Sequence, residues 1–190
     1  MESATIIVVS GLPRSGTSLM MQMIEAGGLP ILTDGQRTAD PDNPKGYYEF
    51  EPVKQLERDQ TWIANARGRV VKVVSPLLRY LPAGHSYKIV FMQRELAEVL
   101  ASQRHMLERR GRPAPPDDEA MAATFRRHLA DVNAWLAQQP NMQVLYVAYN
   151  AVLEQTAAEI EQLSAFLGDG LDGAAMARVI DHALHRQRYA

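Results

Sequence analysis

The sequence predicts an α/β domain of three layers, α/β/α, with helices on both sides of a mainly parallel sheet. Three observations carry this. Apolar runs rich in β-branched residues alternate along the chain with segments of helical period, the pattern of strand–helix–strand units. The runs within Ile6–Val9, Arg69–Ser75 and Tyr87–Arg94 are nearly continuously apolar, as strands covered on both faces are. A glycine-bounded turn, Gly11-Leu12-Pro13-Arg14-Ser15-Gly16, leads straight from the first run into a helix-permissive one.

A chain of 190 residues is most economically one domain, residues 1–190, large enough to bury its own core. The net charge of −2 and the lack of a basic tract interleaved with aromatics argue against a nucleic-acid partner. With no cysteine there is neither a disulfide framework, nor a thiolate zinc site, nor a cysteine nucleophile, and the five scattered histidines make no metal site. The front of the chain, Met1-Glu2-Ser3-Ala4 and a short apolar run, does not read as a signal peptide. No segment approaches the ~20 apolar residues of a membrane span. The expectation is a cytoplasmic protein with no membrane partner.

Taken in order, Ile6–Val9 is a strand and the turn after it stands at the start of a helix. Unpaired N–H groups of a first helical turn and the helix dipole favour an anion there. The Gly11-x-x-x-x-Gly16 spacing is that of a phosphate-binding P-loop, but Thr17 follows where lysine is expected, and the cation, Arg14, lies inside the loop. Leu19, Met20, Met23 and Ile24 give the helix Ser18–Ala26 its apolar face, and Gly27-Gly28 closes it. Leu29–Lys45, rich in Pro, Asp, Gly and Asn, reads as a long loop beside the ligand.

Gly46–Glu51 is β-prone, and Val53–Ile63 is amphipathic. On a strand face Glu49 is a solvated carboxylate. Lys72 interrupts the next strand; it either guards a sheet edge or lies toward the strand's C-terminal end, where open α/β sheets bind ligands. Arg94 ends the third strand at the same side, and Glu95–Arg109 follows as a helix. Gly111–Asp118, with Pro113, Pro115 and Pro116, is a non-helical connection, a lid or an inert linker. Asp118–Gln138 is a helix whose Trp135 belongs to the core; Met142–Tyr149 is the fourth strand; Thr156–Leu167 and Leu171–Arg188 are helices.

Together these segments resemble the sulfotransferase family over most of the chain. Leu12-Pro13-Arg14-Ser15-Gly16-Thr17-Ser18 resembles the loop that holds the 5′-phosphosulfate of 3′-phosphoadenosine 5′-phosphosulfate (PAPS). Its arginine is similar to that of tyrosylprotein and bacterial members, where cytosolic members carry lysine. Arg94-Glu95-Leu96-Ala97-Glu98-Val99-Leu100-Ala101-Ser102 resembles the segment whose arginine and serine hold the 3′-phosphate. Tyr149-Asn150-Ala151-Val152-Leu153 and Phe166-Leu167-Gly168 resemble structural stretches of the family, and His185-Arg186-Gln187-Arg188 an ending of bacterial members.

The resemblance implies a P-loop, nucleotide-kinase-like fold. It also implies PAPS as cofactor and PAP as product, with a sulfuryl group passed in line to a hydroxyl or amine of a small-molecule or peptide acceptor. In that reading Arg14 and the N–H groups of Ser15, Gly16, Thr17 and Ser18 hold the 5′-phosphosulfate, and Arg94 and Ser102 the 3′-phosphate. Lys72, placed like the strand lysine of tyrosylprotein sulfotransferases, stabilises the bridging oxygen. Glu49 resembles a glutamate of bacterial members and is the candidate base, standing against its solvated-face reading. A sulfuryl group carries less charge than a phosphoryl group and needs no metal. The chain departs from the family in being short and in lacking the C-terminal Arg-Lys-Gly segment of cytosolic members. A P-loop kinase using ATP-Mg²⁺ and a non-catalytic nucleotide-binding module are the rival readings. Against the kinase, no apolar strand ends in the aspartate of a Walker B site.

Overall fold

The computed structural model describes residues 5–37, 39–40, 46–113, 117–168 and 170–181. Four strands, β1 (Ile6–Gly11), β2 (Val70–Lys72), β3 (Tyr87–Gln93) and β4 (Met142–Ala148), form one sheet in the order β2-β1-β3-β4. Every pairing is parallel. The helices are α1 (Thr17–Ala26), α2 (Leu96–Arg109), α3 (Asp118–Leu136), α4 (Tyr149–Glu154), α5 (Thr156–Leu167) and α6 (Gly173–Arg178).

The central strand shows why the sheet needs cover on both faces. All six residues of β1 are buried, and their side chains alternate between two cores, as a period of two demands. Ile6 and Val8 join Val71, Val73, Ile89, Phe91, Val132 and Leu136 on the α3 face. Ile7 and Val9 join Met20, Met23, Ile24, Val90, Val152 and Leu163 on the α1 and α5 face. Met20, Met21, Met23 and Ile24 of α1 are fully buried, each contributing about 1.5–3 kcal/mol before conformational entropy is deducted. Gly27 N–H bonds Met23 O at 2.9 Å and Gly28 turns the chain away at φ 102°. Trp135 packs against the α3-side core, as its spacing indicates.

From β1 the chain runs to β2 on one side and then to β3 on the other. The resulting switch point, between the carboxyl ends of β1 and β3, is where a parallel sheet opens a ligand crevice. β2 ends the sheet order and Lys72 is its last residue, at the C-terminal end, with its ammonium turned inward to Ser18 Oγ and Tyr47 O. The outer side of β2 is covered by the loop, with Val70 N–H bonded to Pro30 O at 2.9 Å and Leu32 N–H to Val70 O at 2.8 Å.

Three expectations are corrected. Gly46–Phe50 is not a strand: Gly46 and Tyr48 have φ of 92° and 55°, values no strand accommodates. The amphipathic stretch after it is two 3₁₀ turns, Glu51–Gln55 and Thr61–Ala66. Tyr149 opens α4 instead of ending β4. The last helix is described only as Gly173–Arg178; Arg186 and Arg188, like Pro115 and Pro116 of the proline-rich connection, lie outside the described residues.

Candidate active site

The loop between β1 and α1 is built by close approach. A Cβ on Gly11 would come within 2.5 Å of Ser15 Oγ and 2.7 Å of Met92 O, and one on Gly16 within 2.3 Å of the Tyr149 ring. Gly16 also has φ 97°, so both backbone path and packing demand glycine there. The Ser15 hydroxyl donates to Leu12 O at 2.7 Å and closes the turn. As N-cap of α1, Gly16 brings no side chain to the leading amides, and the first turn has no acidic residue. The N–H groups and positive dipole end there suit an anion.

Two cations converge on this cradle. Arg14 stands in the left-handed region at φ 72° and its Nε donates to Ser102 Oγ of α2 at 2.9 Å. The Lys72 ammonium donates to Ser18 Oγ at 3.0 Å and to Tyr47 O at 2.9 Å. Burial pulls the Lys72 pKa down to about 8; Glu49 opposes the shift, and Arg37 and Arg14 add to it. The two cations therefore feel each other across the loop.

Arg94 is held by three neighbours. Its Nε donates to Glu98 Oε2 at 2.8 Å in a pair whose side chains are only 8% and 3% exposed. Its Nη1 donates to Arg14 O at 3.2 Å, and its guanidinium lies 4.2 Å from the centre of the Tyr149 ring. Arg94 thus buttresses the loop, and the partnership with Glu98 is a strong constraint, since leaving either charge alone would cost about 3–5 kcal/mol. Arg14, Ser15, Gly16, Thr17, Ser18, Arg94, Ser102 and Lys72 gather at one end of the sheet.

Glu49 stands beside this group, two residues beyond the Tyr47 carbonyl that Lys72 grips. Its carboxylate is paired with Arg37 and lies 3.7 Å from Lys54 Nζ. Arg37 also covers the Tyr47 ring, 3.4 Å from its centre.

Some residues at and around the site take their roles from partners that the motifs do not specify. Glu98 had a signal, lying four residues after Arg94 in the first turn of the helix that follows it. Tyr149, under both Gly16 and Arg94, was marked only as part of a structural stretch of the resemblance. The bond between Ser75 Oγ and His128 Nε2, 2.9 Å across 53 residues, had no signal; burial lowers the pKa of this histidine. Asn133 of α3 reaches the crevice between β1 and β3, and helical period alone gives it no distinction from its neighbours.

A parallel sheet switching at a glycine loop before a helix N-terminus defines the class: a P-loop-type α/β domain. The sulfotransferase domain family matches residues 4–187, and the chain belongs to that family. Among solved structures it is similar to mouse sulfotransferase SULT7A1 complexed with PAP, at 17% identity and TM-score 0.58, covering 98% of this chain and 67% of that one. It is similar to retinol dehydratase in complex with androsterone and the inactive cofactor PAP, at 18% identity and TM-score 0.52, over 91% of this chain and 62% of that one. A sulfotransferase from Alicyclobacillus acidocaldarius matches at 13% identity and TM-score 0.53 over 96% of both chains. The chain thus spans about two thirds of the first two relatives, and at such identities the likeness is one of fold. No curated protein matches it in sequence.

Proposed function

We propose that this chain transfers a sulfuryl group from PAPS to a hydroxyl or amine of a small-molecule or peptide acceptor. The observation that carries the reading is the pair of cations at one uncapped helix start: Arg14 from inside the loop and Lys72 from the end of β2. The residues fit the cofactor. In this reading Arg14 and the amides of Ser15–Ser18 hold the 5′-phosphosulfate, and Ser102, bonded to Arg14, and Arg94, held by Glu98, serve the 3′-phosphate. Two of the similar structures carry PAP. When bound, PAPS supplies an activated sulfuryl group, and the chain's own contribution is preorganised positive charge. Lys72, protonated below about pH 8, serves the bridging oxygen.

Glu49 takes the acceptor's proton in this reading, and Arg37 and Lys54 orient its carboxylate. Glu49→Gln keeps the shape and removes the base. The expected result is a fall in kcat of about a hundredfold, in the range of general-base contributions, with PAP affinity unchanged. Equal turnover in wild type and variant would return Glu49 to a surface ion-pair role.

The full 190 residues act as one domain in this proposal. No helix among the described residues is long and apolar enough to cross a membrane, and we read the protein as cytoplasmic. The deciding experiment compares thermal shifts with PAP and with ATP-Mg²⁺, then assays transfer of labelled sulfate from PAPS. At a hundredfold excess over Kd, PAP should add about 2.7 kcal/mol, or roughly 5–10 °C for a chain of this size. Stabilisation by ATP-Mg²⁺ alone would make the chain a kinase. PAP binding with no acceptor sulfated would make it a non-catalytic module.

A further inference from the structure

The two edges of the sheet are built differently. β2 is short, ends in Lys72 and is covered by the loop, with Pro30 O and Leu32 N–H bonded to Val70; these are the usual protections of an edge. β4, at the other side, is a strand of seven residues, Met142-Gln143-Val144-Leu145-Tyr146-Val147-Ala148, with no charge, no proline and no bulge in its register with β3. Tyr87 N–H bonds Asn141 O. By the alternation of a parallel ladder, Gln143, Leu145 and Val147 then turn their N–H and C=O to β3, while Val144 and Tyr146 turn theirs outward. Among the described residues no backbone group of that outward pair has a hydrogen-bond partner. Tyr146 is also 41% exposed, the one large apolar side chain that the described residues leave so.

We infer that the β4 edge is an interaction surface whose occupant is a second copy of this chain, the two β4 strands pairing antiparallel about a twofold axis at Leu145. A twofold contact brings the same patch from both sides, and a strand without charge does so with no like charges opposed. Leu145 is the middle residue of β4, so an axis there pairs the whole strand. Val144 then faces the partner's Tyr146, and their outward N–H and C=O groups close as hydrogen-bonded pairs, while the two copies of Leu145 meet as a non-hydrogen-bonded pair. A β-branched residue against an aromatic is a favourable cross-strand match, and the Phe91 ring, 5.6 Å from that of Tyr146, steadies it beforehand. The edge is about 23 Å long and, with a helical layer on each side, about 20 Å deep. Each copy therefore offers about 450 Å², about 900 Å² in all, the size of a weak, reversible dimer. None of these residues belongs to the cofactor site, so the inference is independent of the sulfuryl-transfer reading.

Sedimentation equilibrium of the whole chain, from about 5 to about 500 µM, tests the pairing. The average mass should rise toward twice that of one chain across this range. Tyr146→Pro removes an outward N–H and leaves the bonds to β3 in place, the position at which an edge strand tolerates proline. Tyr146→Lys sets like charges on one face of the paired strands. Each should weaken dimerisation about tenfold or more, with the melting temperature of dilute protein nearly unchanged; the lysine variant carries the test if the proline variant fails to fold. The register has its own readout, because the chain has no cysteine. Leu145→Cys puts two thiols at the axis with Cα atoms about 4.5 Å apart, within disulfide reach. In Gln143→Cys they stand about 13 Å apart along the strands. Under mild oxidation Leu145→Cys should cross-link about tenfold faster or more.

A monomer at every concentration would overturn the inference. So would a dimer that both Tyr146 variants leave unmoved, or equal cross-linking by Leu145→Cys and Gln143→Cys. A monomer that dimerises only after removal of residues 182–190, which lie outside the described residues, would give the edge to that segment and overturn the inference as well. A dimer that Tyr146→Lys weakens and Leu145→Cys locks upholds it.

Discussion

Replacing Arg14 with alanine is expected to lower kcat/KM for PAPS about a thousandfold, the scale of removing a preorganised donor to developing charge, while the fold survives. The side chain is anchored to α2 by the bond from its Nε to Ser102 Oγ. The backbone geometry is held by other groups, chiefly Arg94 on the Arg14 carbonyl. Alanine keeps that carbonyl and suffers no worse at φ 72° than arginine does. The melting temperature should therefore move by only a few degrees, corresponding to about 1 kcal/mol. Steady-state kinetics at varied PAPS, paired with thermal unfolding, decide the matter. Large destabilisation with retained turnover would make Arg14 a structural turn residue.

Lys72→Met should separate activity from stability in opposite directions. In the proposed reaction loss of the ammonium removes the charge that serves the bridging oxygen, and kcat should fall by about a hundredfold to a thousandfold. Stability should not fall with it. Burial holds the Lys72 pKa at about 8 against an ordinary 10.5, which means folding disfavours the charged form. Between those two values the unfolded chain binds more protons than the folded one, so this group makes stability rise with pH across about 8 to 10.5. Below pH 8 its burial costs on the order of 3 kcal/mol at 1.36 kcal/mol per unit. An apolar isostere recovers part of that cost. The same titration shapes catalysis: wild-type kcat/KM for PAPS should decline above about pH 8 as the free enzyme loses the proton. The variant's lower rate should lack that limb. A pH–rate profile identical in both proteins would dissociate Lys72 from the chemistry.

The strands were readable because burial on both faces leaves little but apolar residues, as in β1 and β3. Within such runs a charge is conspicuous, which is why Lys72 and Arg94 could be singled out before their surroundings were known. Arg14 was legible from its place between two glycines at fixed spacing. Gly46–Glu51 misled for a physical reason. Its aromatic residues favour a strand, but Lys72 captures the Tyr47 carbonyl and Tyr48 turns at φ 55°, its hydroxyl donating to Glu25 at 2.6 Å. Those partners are contributed by β2 and α1, so no local window contains them. Asn133 and the Ser75–His128 pair are hidden in the same way, since what distinguishes them is the element across from α3.

Arg14 holds a backbone conformation that costs an L-residue about 1–2 kcal/mol, and it does so with its carbonyl fixed by Arg94 and its side chain by Ser102. That cost is met when the chain folds. If the proposed donor binds at this loop, it is expected to meet a cradle whose peptide groups are already aimed. The expected consequence is an association rate governed by collision and by the local positive field, which added salt lowers.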